Sequence, residues 1–368
     1  MSTLETNSIA KYSGNNVSID DSLNLKSYTT TQRDALTSAA GDMIYNSTTS
    51  KPQIYNGSAW ENFGPAGFDI QYLIIAGGGS GGQGQAGGTS GGGGGAGGYR
   101  NSYASENTGG GGSTETVFRA LKSTNYTITV GAGATAMPKQ TAAYADHRDL
   151  YKTYSGGDSE FDRIVSYGGG QGGIWTNIGG VRGGSSGGSG KVGTTALQSS
   201  DAPMKPTQGY IGGSSNNSYN AGAGGGGAGG AGADMSSSAA TGGNGGAGLS
   251  SSITGSAVTR ASGGAGGGNS TRGTAATGGG GNGGQGNQAG YAGTVNTGGG
   301  GGGASWGSSP SDGAPGGAGG SGLVILRWTT ADATIGATRT GLTDGGVQTD
   351  GSDSYIVFTA GTGTVSFS

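Results

Sequence analysis

Large apolar residues in this chain are gathered into a few short runs, which are separated by long stretches of small and polar residues. Two runs, 68–76 and 323–328, are continuous enough to indicate buried strands. Three more, 116–121, 126–130 and 161–167, mix β-branched and aromatic residues as strands do. We therefore predict that these five strands form one compact sheet.

The first 66 residues form a separate region, in which short segments alternate polar and apolar positions. Short alternating segments bounded by Asn, Gly and Ser are typical of small hairpins. The expected elements are strands at 16–19 and 22–25, a short threonine-capped helix within 30–36 that ends before Gly41, a hairpin of 42–46 and 53–56 around 47–52, and a tight turn at Asn56-Gly57.

The last region, 329–368, is rich in Thr, Asp and small residues. Its strand-like segments, 355–358 and 364–367, predict a hairpin that turns at 360–363. Two placements remain open for this hairpin, because it could complete the sheet of the middle region or form a small terminal domain. Asp344, Asp350 and Asp353 are interpreted as solvated acids of its turns.

The middle region, 67–328, is dominated by glycine and holds most of the chain's 93 glycines. In several stretches the non-glycine residues recur at every third position, and flexible linkers have no reason to show such a period. These stretches are 224–232, 241–248, 280–286 and 316–322, and nearly pure glycine occurs at 91–98, 168–173 and 298–303.

A period of three is that of the polyglycine II helix, a left-handed extended helix that rises about 3.1 Å per residue and has no internal hydrogen bonds. Parallel packing of such helices would let their backbone groups bond to one another. We predict a mainly β fold with very little α-helix, in which a small basal sheet anchors a sandwich of about eight to ten polyglycine II helices. The alternative is a flexible linker over 77–322, but the flanking strands and the run 161–167 argue against it.

The composition excludes several classes of protein. Leu, Ile, Val and Phe make up only 46 of 368 residues, too few for an ordinary core, yet the net charge of −3 is too low for a typical disordered chain. With 18 basic and 21 acidic residues the chain has no net attraction for phosphates, so we expect no nucleic-acid partner. No apolar run approaches a membrane span, cysteine is absent, and no signal peptide is recognisable. We therefore expect no membrane insertion.

Short motifs that resemble chemical sites lack the residues that those sites need. Gly77-x-Gly79-x-x-Gly82 follows a predicted strand, but more glycine stands where a dinucleotide site needs a helix. Gly190-Lys191 precedes Val192, whereas a phosphate-binding loop needs Ser or Thr there. His147 is the only histidine, and no nucleophile-elbow sequence accompanies it. We predict no catalytic residue and no cofactor.

Acidic residues offer two weaker candidate sites. Residues 229–234 resemble half of a calcium-binding nonapeptide repeat, but that architecture needs tandem copies. Asp158, Glu160 and Asp162 alternate as paired carboxylates of a glycosidase could, although on a strand they more simply form a polar outer face. We predict no metal site and no enzymatic activity.

Two groups of segments resemble bacteriophage tail-fibre and related virion appendage proteins. Residues 28–37, 41–46 and 53–60 look like a short module that is common in fibres of marine and cyanobacterial phages. The other group looks like the glycine-rich domain attached to such modules; it comprises 72–79, 97–100, 126–133 and 321–328. In composition and layout, the glycine-rich region is also similar in kind to the tip adhesin of T-even-type long tail fibres.

This resemblance implies a virion protein of the tail or an appendage, made in the host cytoplasm without a signal peptide. The N-terminal region would attach to other virion tail or fibre proteins, with a homotrimer as the expected assembly. Loops between polyglycine helices would bind a host surface polysaccharide or an outer-membrane protein, and Tyr and Trp suit such contacts. The candidate receptor-binding residues are Tyr99, Arg100, Asn101, Tyr103, Trp175, Tyr210, Tyr219, Tyr291 and Trp306.

Two other functions remain open. A purely structural appendage, such as a whisker, decoration or spacer fibre, would need no receptor contact. An ice-binding protein could use a flat polyglycine bundle with small outward residues.

Overall fold

The computed structural model describes residues 24–63, 67–84, 88–139, 153–174, 179–190, 207–215, 220–236, 240–306 and 313–368. The chain separates into two compact units, Met1–Ala66 and Gly67–Ser368. The fold is mainly β with very little helix, as the sequence predicts.

The N-terminal unit is a four-stranded sheet with one short helix. Its strands lie in the order β1 (Ser27–Tyr28), β2 (Met43–Asn46), β3 (Lys51–Tyr55) and β4 (Trp60–Asn62), with only β1–β2 parallel. Helix α1 (Thr30–Asp34) begins after Thr29, whose hydroxyl accepts from the Gln32 N–H at 3.3 Å while the Gln32 side chain accepts from the Thr29 N–H at 2.9 Å. The predicted helix and hairpin are therefore confirmed.

The tight turn at Asn56-Gly57 is also confirmed. Gly57 has φ +100°, and the Asn56 side-chain oxygen accepts from the N–H groups of Ser58 and Ala59 at 2.9 and 2.8 Å. The predicted strand 16–19 lies outside the described residues, and the described part of 22–25 is not a strand.

The second unit holds a sheet of nine strands. Seven follow the order β10-β9-β8-β15-β13-β5-β6, while β7 pairs with β5 and β14 pairs with β15. The strands are β5 (Gly67–Ile75), β6 (Tyr99–Asn101), β7 (Phe118–Leu121), β8 (Tyr126–Val130), β9 (Ser159–Phe161), β10 (Ile164–Ser166), β13 (Leu323–Thr329), β14 (Leu342–Asp350) and β15 (Asp353–Val365). A separate hairpin joins β11 (Leu249–Ser251) to β12 (Val258–Arg260), and a single 3-10 turn spans Gly109–Gly111.

Alternation along β5 directs its side chains to two different cores. Ile70, Tyr72 and Ile74 belong to one core, together with an aromatic cluster. Leu73 and Ile75 belong to the other, where small residues such as Ala96, Ala228 and Ala261 pack against them. The aromatic cluster is Phe68, Phe118, Tyr126, Phe161, Trp328, Phe358 and Phe367.

Two predicted elements differ from the structure. Residues 161–167 are not one strand, because Asp162 takes φ +52° and turns the chain between β9 and β10. Residues 353–365 are one continuous strand, so the predicted turn at 360–363 is wrong. The reason is that β15 pairs on both sides there, with Gly361 opposite both Leu342 and Val130. The C-terminal region thus completes the sheet of the second unit.

The glycine stretches form an array of extended segments that bond to one another through their backbones. The segment 91–98 donates its N–H groups in strict rotation to three neighbouring segments. Gly91, Gly94 and Gly97 donate to the carbonyls of Ala304, Gly301 and Gly298, each at 2.8 Å. Gly92, Gly95 and Gly98 donate to those of Gly173, Gly170 and Tyr167. Gly93 and Ala96 donate to those of Ala223 and Gly226.

The carbonyls of the same segment accept in the same rotation from three further segments. Gly91 and Gly94 accept from Gly267 and Gly264, whereas Gly92 and Gly95 accept from Gly82 and Gly79. Gly93 and Ala96 accept from Gly188 and Ser185. The segment 91–98 is therefore surrounded by six others, and every residue in it is buried. We call this set of mutually bonded segments the glycine array; it includes 76–84, 91–98, 168–173, 222–229, 261–268 and 298–305.

The spacing between segments leaves no room for a side chain at most positions. A Cβ added to Gly93 would lie 2.0 Å from the carbonyl oxygen of Gly264, and one added to Gly97 would lie 2.0 Å from that of Ala76. Ala96 is tolerated in this segment because it belongs to the core formed with Leu73 and Ile75. Glycine is thus required here by the close approach of neighbouring backbones.

Candidate functional site

The hydrogen-bond register defines two ends of the glycine array. At the sheet end, Ala76 donates to Gly98 at 3.1 Å, directly after strand β5. At the far end, Gly91 donates to Ala304 at 2.8 Å and Ala304 to Gly82 at 2.9 Å. Chain reversals between array segments therefore fall at one of these two ends, and their side chains are the natural candidates for contacts with other molecules.

Trp306 is the candidate residue that the structure places at the far end. Its carbonyl accepts from the Asn287 N–H at 3.0 Å, next to the exposed residues Gln285 and Gln288. Its indole Nε1 is buried and has no hydrogen-bond partner among the described residues. Trp306 therefore anchors a polar reversal rather than presenting a fully exposed ring.

Trp175 and Tyr219 lie outside the described residues. Their neighbours along the chain belong to the far end, since Gly173 accepts from Gly92 at 2.9 Å and Ala221 forms a bridge with Gly268. The structure thus brings the backbone near these two candidates to the same end as Trp306.

Tyr291 lies along the side of the array, away from both ends. Its N–H donates to Asn282 at 3.0 Å and its carbonyl accepts from Gly302 at 2.8 Å, so its backbone is part of the array. Its side chain is 49% exposed. The Arg272 guanidinium lies 5.2 Å from the ring centroid and donates to the hydroxyl at 3.2 Å, which gives an exposed aromatic–cation pair. Tyr210 is likewise bonded into the array, through Gly227 at 2.9 Å, and is half-buried.

Tyr99 and Asn101 do not lie on an exposed loop, in contrast to the expectation from the sequence. Both belong to strand β6, which pairs with β5, and both are fully buried. Burial raises the pKa of the Tyr99 hydroxyl, and the charge of Glu106 adds to that rise. The Asn101 side chain accepts from the Tyr103 N–H at 2.9 Å and donates to Glu106 at 3.0 Å. These two side chains support the fold and are not available to a receptor.

Tyr103 is half-buried and packs against the sheet. Its ring lies 5.2 Å from the guanidinium of Arg327, which also pairs with Asp350 and Asp353. Tyr103 thus lies in the turn after β6, and its ring is held against a buried cation.

Arg100 lies at a polar pocket of about 570 Å³ near the sheet end. Its guanidinium donates to the carboxylate of Glu115 through Nε at 2.9 Å and through Nη2 at 2.5 Å. Glu115 also accepts from the hydroxyls of Tyr72 at 3.0 Å and Thr108 at 3.1 Å. The remaining residues around the pocket include Ser113, Thr114, Thr116 and Thr207.

Two ionisable groups of this pocket, Tyr72 and Arg100, have raised pKa values. Burial raises the pKa of Tyr72, and Glu115 raises it further, so the phenol stays protonated. Burial lowers the pKa of Arg100, but the hydrogen bond and charge of Glu115 outweigh it, and the net direction is upward. Groups that do not titrate near neutral pH are poor general acids or bases. The Tyr72 hydroxyl and the Arg100 guanidinium are therefore present in this pocket as hydrogen-bond donors.

Sequence reasoning found Arg100 but missed Glu115. The only signal for Glu115 is its position as the single acid in the hydroxyl-rich run 112–116, which does not by itself indicate a partner. The two side chains meet because β6 is held against β5 by pairing, which brings Arg100 beside Tyr72 and its neighbours.

Metal binding and membrane insertion are the next two features of the part of the chain that the structure describes. There, His, Asp and Glu form no group of three that could hold a metal ion. None of the helices in these same residues has the length and apolar character needed to cross a membrane.

Comparisons with known proteins give one match. No curated protein and no solved structure matches the chain. The family model described as a glycine-rich domain matches residues 56–329, which is most of the chain and includes nearly all of the glycine array. The chain belongs to the glycine-rich domain family.

Proposed function

We propose that the glycine array is a sandwich of polyglycine II helices that serves as a rigid scaffold. The rotation of hydrogen bonds among neighbours at every third residue supports this, because a helix with three residues per turn directs successive N–H groups to successive neighbours. A second observation supports it: there is no room for a Cβ atom at Gly93 or Gly97, and polyglycine II packing needs such close approach between backbones.

On this scaffold we propose a bacteriophage adhesin, a tail-fibre or fibre-tip protein whose far end binds the host surface. The observation that carries the proposal is that Trp306 and the exposed reversal at 285–289 lie together at the far end. A rigid scaffold that holds exchangeable loops is a common arrangement for binding proteins. The resemblance of residues 28–60 to a fibre module agrees with this role, and that unit would attach to other virion proteins, as a homotrimer.

A cell-binding assay tests the proposal. The labelled full-length chain is incubated with a panel of bacteria that includes marine cyanobacteria, and unlabelled chain is added as competitor. We expect saturable binding to at least one strain. A far-end variant, Gln285→Ala/Gln288→Ala/Trp306→Ala, should lose most of it, whereas Val347→Ala, an exposed position on β14, should retain it. Equal binding by both variants would contradict a receptor site at the far end.

The same assay separates adhesion from a purely structural role. A structural appendage would be incorporated into virions but would not bind any cells that those virions infect. It would also leave phage adsorption unchanged when purified chain is added in excess. Inhibition of adsorption by the wild-type chain and not by the far-end variant would favour the adhesin.

One feature favours ice binding as a second candidate. Thr271, Thr274 and Thr277 are all exposed and are spaced by three residues, beside the parallel segment that carries Thr241 and Asn244. A regular flat row of hydroxyls is what an ordered water lattice could match. Thermal hysteresis of the purified chain, lost on replacing Thr274 with Lys, would support this candidate, and its absence would remove it.

A further inference from the structure

The N-terminal unit contains a pocket that the proposed adhesion does not use. The pocket has a volume of about 390 Å³, within the range of small-ligand sites. The residues that matter for its chemistry are Arg33, Asp34, Tyr55 and Trp60.

Its aromatic wall comes from the hairpin of β3 and β4. Tyr55 is the last residue of β3 and Trp60 the first of β4, and the two are opposite each other in the register. Their ring centroids are 5.4 Å apart and their planes are inclined by 53°. Both side chains are half-buried, so the hairpin turn places two adjoining aromatic surfaces at the pocket.

Its charged wall comes from the end of helix α1. Arg33 donates to one carboxylate oxygen of Asp34, Oδ1, from Nε at 2.8 Å and from Nη2 at 2.5 Å, and its Nη1 donates to Gln53 at 3.0 Å. The arginine is therefore held in one orientation. Asp34 is 57% exposed, and its second oxygen, Oδ2, accepts no hydrogen bond from the described residues.

The pocket thus combines two aromatic surfaces with a carboxylate oxygen that accepts no hydrogen bond from the described residues and a guanidinium that is held in one orientation.

We propose that this pocket binds a pyranose ring of a saccharide. A pyranose has an apolar face of C–H groups, which suits an aromatic surface, and an edge of hydroxyls, which suits a carboxylate beside a guanidinium. A purely apolar ligand would displace water from the Asp34 carboxylate without replacing the hydrogen bonds that are lost. The inference goes beyond the proposed adhesion, because it assigns sugar binding to the N-terminal unit, independently of the far end of the array.

Saturation-transfer NMR on the full-length chain tests the proposal. The probes are methyl α-glucoside, methyl α-mannoside, methyl β-galactoside and N-acetylglucosamine, each at millimolar concentration. We expect transfer to the ring protons of at least one probe, abolished by Trp60→Ala. Asp34→Asn removes the charge of an exposed side chain while keeping its size, and should weaken the affinity about tenfold, as for the loss of a hydrogen bond to a charged group. Phe63→Ala removes an exposed aromatic residue of the same unit outside the pocket and should change nothing.

Three results would overturn the proposal. One is the absence of transfer to all four probes in the wild-type chain. Another is transfer that persists unchanged in both Trp60→Ala and Asp34→Asn, which would place the sugar elsewhere. The third is a tryptophan fluorescence response to peptides of other virion proteins, but to none of the sugars, that Trp60→Ala abolishes; this would make the pocket a protein contact. Cell binding through the far end is measured separately, so either proposal can fail alone.

Discussion

The second unit contains two regions that are stabilised in different ways. The aromatic cluster beneath the sheet buries large side chains, with Phe118 and Phe161 rings 4.6 Å apart and Trp328 and Phe367 rings 5.3 Å apart. The glycine array buries few large side chains and instead pairs backbone groups between its segments, so that 91–98 is bonded to six neighbours. Apolar burial is non-directional and tolerates repacking, whereas a hydrogen-bonded lattice needs each backbone in register. The array should therefore be the less tolerant of the two to a single added carbon atom.

The largest expected effect is that of a methyl group inside the array. Gly93→Ala would place a Cβ 2.0 Å from the Gly264 carbonyl oxygen, and the neighbours there are backbone atoms that cannot rotate away. We expect a loss of about 4 kcal/mol or more in the free energy of unfolding, or failure to fold. Urea denaturation of the purified variant measures it.

Gly345→Ala is the matched control for this substitution. No atom lies within 4 Å of a Cβ added at Gly345, and its φ is not in the left-handed region. We expect a change within about 0.5 kcal/mol. If both alanine variants were equally stable, close backbone approach would not be what the array depends on.

The second effect is that of a cavity in the aromatic cluster. Phe161 is fully buried and its ring contacts those of Phe118 and Tyr126. Phe161→Ala should cost about 3–4 kcal/mol, and Phe161→Leu about half of that, because the cost follows the volume removed. Stability losses that increase from Phe161→Leu to Phe161→Ala, together with a full loss from the single methyl group of Gly93→Ala, would support the contrast between the two regions. Equal losses for Phe161→Leu and Phe161→Ala would contradict it.

The regular parts of this contrast could be predicted from the sequence, and the irregular parts could not. Continuous apolar runs identify β5 and β13, since both faces of these strands are buried. The turn at Asp162 was missed because a non-glycine residue takes a positive φ there, and the false turn at 360–363 arose because Gly361 is paired on both sides instead of turning. Such choices depend on neighbouring strands that are distant along the chain.

The candidate site shows the same limit. The sequence Gly-Gly-Tyr-Arg-Asn at 97–101 has the composition of a loop. Its last three residues nevertheless form strand β6, which pairs with β5, and Tyr99 and Asn101 are buried there. Arg100 remains at a pocket because alternation directs it away from those two residues. Long-range pairing therefore decided which residues of this run are buried and which one lies at a pocket.

The third effect is at a contact between the sheet and the hairpin of β11 and β12. The buried Arg327 on β13 donates to Asp350 at 2.8 Å, to Asp353 at 2.9 Å and to the Ile253 carbonyl at 3.0 Å. Arg327→Met keeps most of the side-chain volume but removes these bonds. We expect a loss of about 2 kcal/mol, since both carboxylates retain some contact with solvent. Urea denaturation measures the loss, and hydrogen exchange should show faster exchange at 249–260 while 91–98 stays protected.

An exposed ion pair is the control for Arg327. Arg119 and Asp69 pair at 3.0 Å, with both side chains more than half exposed. Arg119→Met should change the free energy of unfolding by less than about 1 kcal/mol. A loss at Arg119 equal to that at Arg327 would mean that burial of the Arg327 contacts contributes nothing.

The smallest effect concerns acid, and it should act on the sheet rather than on the array. Asp344 accepts from Arg339 Nε at 2.9 Å and from the Gly346 N–H at 2.8 Å. The hydrogen bond from Arg339 lowers the pKa of Asp344; burial opposes this and the Gly346 N–H assists it, and the net direction is downward. A lowered folded-state pKa stabilises the fold fully above the unfolded value of about 3.9, and this stabilisation is lost as the pH falls through the folded value. The urea concentration at the midpoint of unfolding should therefore decrease when the pH is lowered below about 4.

Two variants and one exchange measurement check the location of this acid effect. Asp344→Asn should flatten the fall in the urea midpoint, whereas Asp69→Asn, at an exposed position, should leave it nearly unchanged. The segment 91–98 contains no ionisable side chain. At moderate acidity its amides should therefore lose protection from hydrogen exchange only when the whole second unit unfolds. Earlier loss of protection in 91–98 than in β14 and β15 would show that the array is the weaker of the two regions.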